Sequence, residues 1–312
     1  MKEKTPVSFF IRVITTRRVA IFLAAILFIY LGLSILGAVF VMRILRLPLE
    51  GTPISVGLDY EDVSFRSRDG GVLLKGWHIS GNNKAVIIIV HGGFQNRVDD
   101  NVDTLGLSYS LHKQGFSLLL FDLRGRGESE GQGQALSNIN NDIGGAVDYL
   151  KSRGYSSSNI SIMGYCSGAA SACIFASQED VGALVLVGCF AKVRDMVIRM
   201  ATTRGIPGFF AEIFIPGLQL MTKVFYSYQV VNPVDVVDDV ACPILFVHEE
   251  YDEFIPIEDM RMLFEASNNP ANELWEVEDI EHSQVYRSSP AEFITKVTSF
   301  LNSKIFGVIQ VD

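Results

Sequence analysis

Cysteine is scarce, and the few present build neither a metal site nor a disulfide framework. Cys166, Cys173, Cys189 and Cys242 are four residues in 312, none at metal-ligand spacing, and their surroundings read as buried strand and helix. A zinc module and a small stapled domain are thereby excluded, and no cofactor is expected. All but Cys166 are expected to be small core residues. Positive charge is also in deficit. The net charge is −9, and the first 18 residues alone hold five basic residues and one acid, so the remainder carries −13. A domain that acidic does not seek nucleic acid. Internal repeats and low-complexity tracts are missing too, and with 48% hydrophobic residues the chain is too apolar to be disordered. The length suits one catalytic domain.

Part of the apolar excess sits in one block. Val19 to Met42 is an uninterrupted run of 24 uncharged residues. At helical rise this is enough to cross a hydrocarbon core of about 30 Å. The run is longer than a signal-peptide core, and Val39-Phe40-Val41-Met42-Arg43 is not a small-residue cleavage site, so an uncleaved transmembrane helix is expected. Lys2, Lys4, Arg12, Arg17 and Arg18 precede it, against Arg43 and Arg46 after it. The excess of cations before the span places the N-terminus in the cytoplasm and the catalytic domain outside. The expected organisation is therefore residues 1–18 cytoplasmic, 19–42 transmembrane, 43–58 a linker rich in proline and glycine, and 59–312 the catalytic domain.

Within that domain, Tyr60 to Arg66 and Val72 to Ser80 flank Asp69-Gly70-Gly71, the pattern of an antiparallel hairpin. Short β-branched runs follow at Ala85–His91, Ser117–Phe121, Asn159–Gly164, Ala183–Gly188, Pro243–His248 and Glu273–Val277, alternating with helical stretches. One such stretch is Ser137 to Arg153, with Ser137 as its N-cap. This is an α/β pattern, a mostly parallel sheet with helices on both faces. Between about 190 and 232 the rhythm changes to methionines and phenylalanines punctuated by Gly205, Pro207, Gly208, Pro216 and Gly217. The segment reads either as a small helical cap of broken helices over the strand ends or as plain core helix.

The chemistry is expected at strand ends, where open α/β sheets bind their ligands. Gly164-Tyr165-Cys166-Ser167-Gly168 follows a strand and opens a helix. A nucleophile held on a sharp strand-to-helix turn needs small residues two before and two after it, which Cys166 has and Ser167, flanked by Tyr165 and Ala169, does not. Asp252 follows the strand ending at His248, and His282 lies in a polar loop after the last strand, so nucleophile, acid and base come in the order this architecture requires. The neighbouring Glu249, Glu250 and Glu253 read as surface carboxylates. His91 and His248 end buried strands and read as structural. Gly92, Gly93 and Phe94 follow an early strand, and the backbone N–H groups of Gly93, Phe94 and Ser167 are the expected oxyanion donors.

Taken together, His91-Gly92-Gly93, Asp122 to Ser129, the Gly164–Gly168 turn, the His248–Asp252 loop and His282 resemble the α/β-hydrolase superfamily. Within it the chain is similar to the membrane-anchored branch of serine aminopeptidases and acylglycerol lipases. The resemblance runs from about Tyr60 to Leu301 and implies an α/β-hydrolase fold and acyl-transfer chemistry. It gives the Asp122–Ser129 turn a structural role only. Cysteine stands at 166 where that branch has serine, and dienelactone hydrolases are similar in using cysteine there. A thiolate departs readily from a tetrahedral intermediate, so esters and thioesters suit it better than amides. The expected activity is hydrolysis of a small, apolar acyl substrate. The rival is a catalytically silent relative that binds a lipid or a protein partner.

Overall fold

The computed structural model describes residues 6–132, 138–278 and 280–306. The chain opens with α1 (Pro6–Met42), and the hairpin strands β1 (Glu61–Arg66) and β2 (Leu73–Ile79) follow. Then come β3 (Val86–Val90), α2 (Thr104–Lys113), β4 (Ser117–Phe121), α3 (Ile139–Ser152), β5 (Ile160–Tyr165), α4 (Ser167–Ala176) and β6 (Ala183–Val187). After α5 (Val193–Thr202) and α6 (Gly208–Tyr226), the chain returns to β7 (Ile244–Glu249), α7 (Ile257–Ala266), β8 (Glu273–Val277), α8 (Val285–Ser288) and α9 (Pro290–Ile305). Every strand read from the sequence is present to within a residue or two. Ser137, the expected N-cap of α3, lies outside the described residues, and Asn138 occupies the cap position.

The strands form one sheet in the order β1-β2-β4-β3-β5-β6-β7-β8. β1 and β2 pair antiparallel, with Glu61 opposite His78, and β2 is antiparallel to β4, while β3 to β8 are parallel. β3, β4, β5, β6 and β7 are buried throughout, which is why they read as continuous apolar runs rather than alternating ones. Each face has its own core. One gathers Ile143, Leu150, Ala169 and Met260 from α3, α4 and α7, and the other Leu107, Leu111, Phe293 and Val297 from α2 and α9. Because β4 and β5 lie on opposite sides of β3, the chain reverses direction across the sheet there, and a crevice opens beyond the ends of β3 and β5.

The segment between α1 and β1 is fastened down rather than free. Asn96 donates to the Leu47 and Pro48 carbonyls, and the Arg46 guanidinium to those of Gly127, Ser129 and Gly131. The exposure of Phe209, Phe210, Ile213, Leu220 and Val224 argues against plain core helix for 190–232. α5 overlies the crevice, whereas α6 packs on α1 and leaves much of its apolar surface exposed. The chain breaks at Gly205–Pro207 as expected but not at Pro216, which lies inside α6. The Tyr30 hydroxyl of α1 enters at that turn, accepting from Gly217 N at 3.0 Å and donating to Ile213 O at 3.1 Å. Those are the two groups a regular helical turn would pair with each other, so a neighbouring helix supplies what proline disturbs.

Candidate active site

The turn from β5 into α4 holds Cys166 at φ 52°, ψ −114°, a conformation that costs a residue with a Cβ on the order of 1–3 kcal/mol. The packing around it enforces that conformation. A Cβ on Gly164 would lie 2.6 Å from the Ala169 backbone, and one on Gly168 would lie 2.5 Å from the Val90 and His91 carbonyl oxygens. Both glycines are therefore required by close backbone approach, and the Cys166 amide is tied to the Val187 carbonyl of β6 at 2.9 Å. Cys166 is half-buried and lines the crevice, while Ser167 is buried, with a hydroxyl that has no partner among the described residues. The other three cysteines are buried free thiols. Burial pushes Cys173 and Cys242 up to about 12 and Cys189 well above its ordinary value.

The structure brings His282 and Asp252 to this turn from two other loops. Asp252 Oδ1 accepts from the amides of Phe254 and Ile255, each at 2.8 Å, which leaves Oδ2 to take the His282 Nδ1 proton. The ring shares the crevice with Cys166, whose thiol acts on it electrostatically. Burial alone would lower the imidazole pKa, but the sulfur and the Asp252 carboxylate outweigh it and hold the ring well above its ordinary value. Gly188, at φ 58° just past β6, makes room for the imidazole. A Cβ there would come within 3.1 Å of Cε1.

The Gly92–Phe94 loop lies beside the cysteine in the same crevice. A Cβ on Gly92 would stand 3.8 Å from that of Cys166. His91 anchors the loop. Its Nε2 accepts from Leu123 N at 3.1 Å while Nδ1 donates to Gly92 O at 2.7 Å, and burial holds its pKa down at about 3, so the ring stays neutral. Arg126, read from the sequence as part of a structural turn, reaches across to grip the Gly93 carbonyl at 2.6 and 3.1 Å. That grip orients the peptide between Gly93 and Phe94, whose N–H belongs to Phe94.

One carboxylate departs from its sequence reading. Glu249 is the last residue of β7, fully buried rather than on the surface, because the strand runs one residue past His248 before the chain turns. Among the described residues neither of its oxygens has a hydrogen-bond partner, and desolvation raises its pKa to about 8 even though His282 opposes the rise. His248, Glu249 and Asp252 lie within reach of a common ion. However, His248 Nε2 spends its proton on the Ile255 carbonyl at 2.8 Å, and both Asp252 oxygens are engaged. His248 and Asp252 are thus spent on hydrogen bonds within the protein, and the trio is not a convergent ligand set. Asp99, also in the crevice, is pushed up to about 6 by burial.

The crevice is a cavity of about 260 Å³. It has the cysteine and histidine on its floor and Phe94, Met196, Met200, Phe254 and Ile255 around them, so its walls are mainly apolar. The sequence model of the family described as Serine aminopeptidase, S33, matches residues 81–237. The chain belongs to this family of α/β-hydrolases. Among curated relatives it is 25% identical over 238 residues to the uncharacterized protein YqkD of Bacillus subtilis, which covers 75% of this chain and 76% of that one. It is 27% identical over 230 residues to the α/β-hydrolase domain-containing protein WAV2 of Arabidopsis thaliana, covering 70% and 71%. Among solved structures, Pyrococcus furiosus esterase Pf2001 superposes with a TM-score of 0.71 at 22% identity, over 84% of this chain and 97% of that one. Est1E of Butyrivibrio proteoclasticus, with ferulic acid bound, superposes at 0.59 with 19% identity, over 78% and 100%. At those identities the structural likeness is one of fold.

Proposed function

We propose that this hydrolase cleaves carboxylic esters or thioesters through Cys166, His282 and Asp252, by way of a covalent acyl-enzyme. The observation that carries the reading is the hydrogen-bonded Asp252–His282 pair in one crevice with Cys166, which stands at a strained strand-to-helix turn. The thiolate attacks the acyl carbon, and the carbonyl electron pair moves onto oxygen, where the N–H groups of Gly93, Phe94 and Ser167 receive it. Collapse breaks the bond to the leaving alcohol or thiol, which takes the proton from His282. His282 then removes a proton from water, the resulting hydroxide attacks the thioester, and the acid leaves as Cys166 regains its sulfur electrons. Asp252 holds the tautomer that keeps the second imidazole nitrogen turned to the sulfur. An amide would hand its intermediate back, because thiolate departs more easily than amine. The apolar walls support an acyl group of low polarity, and the names of the esterase neighbours support ester chemistry.

The same reading seats the enzyme in a membrane through α1, with the catalytic domain extracytoplasmic. Thr16–Met42 is long and apolar enough to span a bilayer, and only 6% of its most apolar window is buried in the protein. Orientation rests on the cations around the span, of which Lys2 and Lys4 lie outside the described residues. The test is a panel of esters and thioesters of graded chain length, run with the wild type, Cys166→Ala and His282→Ala. Turnover by the wild type alone supports the reading, and full turnover by either variant rejects it.

A further inference from the structure

α6 is the second long apolar helix among the described residues, and its position relative to α1 is fixed in detail. The Tyr30 ring stacks on Phe214 at 5.2 Å, and its hydroxyl joins the α6 backbone at Ile213 and Gly217. Ser34 fits against Gly217, where a Cβ would approach its Oγ to 2.1 Å, and Gly37 lies against Leu218. These contacts run from Tyr30 to Gly37, well inside the uncharged span that ends at Met42. At the rise of an α-helix they lie roughly 8 to 18 Å below that end. A helix that crosses a core of about 30 Å with these residues carries α6 into the same leaflet.

The surface α6 turns away from the protein suits that depth. Phe209, Ile213, Pro216, Leu220 and Val224 recur at helical spacing, and the four large ones among them are 51–61% exposed. Glu212, Gln219 and Lys223 form a neighbouring polar stripe, in which Glu212 is paired with Arg194 of α5 at 3.6 Å. In hydrocarbon, backbone groups disturbed by proline are costly unless a neighbour satisfies them, and the Tyr30 hydroxyl does so at Pro216. Between the two helices lies an almost wholly apolar cavity of about 370 Å³, and its wall shares Met200 and Arg204 with the active-site cavity.

We propose that α6 is a second membrane-inserted element, embedded beside α1 in the outer leaflet, so that the active-site mouth at Met200 and Arg204 opens onto the acyl-chain region of the bilayer. The inference rests on the anchor reading of α1. The occupant of the exposed α6 face is the lipid bilayer itself, because that face continues the membrane-spanning surface of α1.

The experiment uses the full chain in phosphatidylcholine vesicles brominated along the acyl chains, with a reporter indole introduced by Leu27→Trp in α1 or by Leu220→Trp on the α6 face. The expected result is quenching of the added fluorescence in both variants, by roughly half or more. Quenching at 27 without quenching at 220 overturns the inference and leaves the anchor standing. Quenching at neither removes the anchor reading, and the inference falls with it. A second arm compares the double variant Ile213→Asp, Leu220→Asp with the wild type. Turnover of a long-chain ester held in the vesicle should fall at least about tenfold, while that of a short water-soluble ester stays within about twofold. Equal change in the two also overturns the inference. A wild type that turns over neither ester defeats the proposed chemistry instead, and the quenching comparison then decides the placement of α6 alone.

Discussion

Replacing Glu249 by glutamine should stabilise the protein, and by an amount that grows with pH. The buried carboxyl keeps its proton in the folded state up to about pH 8, where an ordinary glutamate loses it near 4.5. Between those values Glu249 binds fewer protons in the unfolded chain than in the folded one, so its contribution to wild-type stability falls as pH rises across the window and levels off above it. Multiplying the shift by the free energy of one pKa unit gives a ceiling of about 5 kcal/mol at pH 8 and above. Glutamine has the shape of the protonated acid and no proton to lose, so Glu249→Gln lacks this slope. Urea unfolding of the two proteins at pH 4.5, 6 and 8 should give curves that coincide at the lowest pH and separate as pH rises. Ester turnover near pH 6 should be close to that of the wild type, because the acid next to His282 is neutral there. A stability difference between the two proteins that does not vary with pH would show that Glu249 is ionised in the folded protein and refute the reasoning.

Three further outcomes follow from the site. Brief iodoacetamide treatment near neutral pH should label Cys166 ahead of Cys173, Cys189 and Cys242, which are buried and pushed far up, and peptide mass spectrometry ranks the four directly. Faster labelling of any buried thiol would contradict the burial order. Asp252→Asn should leave the melting temperature within a few degrees and lower kcat by at least about 100-fold, because the amide favours the wrong imidazole tautomer. Unchanged kcat would end the role given to Asp252. Gly168→Ala pushes a methyl into the Val90 and His91 carbonyls, so it should cost about 1–3 kcal/mol in chemical denaturation and reduce turnover as well. A neutral Gly168→Ala would mean that the turn is looser than its contacts imply.

Much of this was legible from residue order. The central strands showed as β-branched runs because they are buried on both faces, and the cysteine turn showed through Gly164 and Gly168 because tight backbone contact admits no Cβ there. Burial of the remaining cysteines followed from their apolar surroundings. What escaped the sequence depends on partners distant along the chain. Glu249 stands among three other acidic residues within five positions and gives no local sign that β7 extends to include it. Pro216 reads as a break, yet α6 runs through it, and Tyr30, 186 residues earlier, bonds the backbone at that turn. Arg126 looks like one more basic residue in a turn, yet its guanidinium grips the Gly93 carbonyl. Gly188 could have been noticed as a glycine closing a strand, but nothing local indicates that an imidazole from beyond β8 needs the space.

The most direct measurement is intact-mass spectrometry of the full chain, quenched in acid within its first turnovers of an activated acyl ester. A single added acyl mass should appear on the wild type, map to the peptide bearing Cys166, build up in His282→Ala if that variant acylates at all, and be missing from Cys166→Ala. Acylation of Ser167, or an adduct that persists at the same level in Cys166→Ala, would contradict the assignment of Cys166 as the nucleophile.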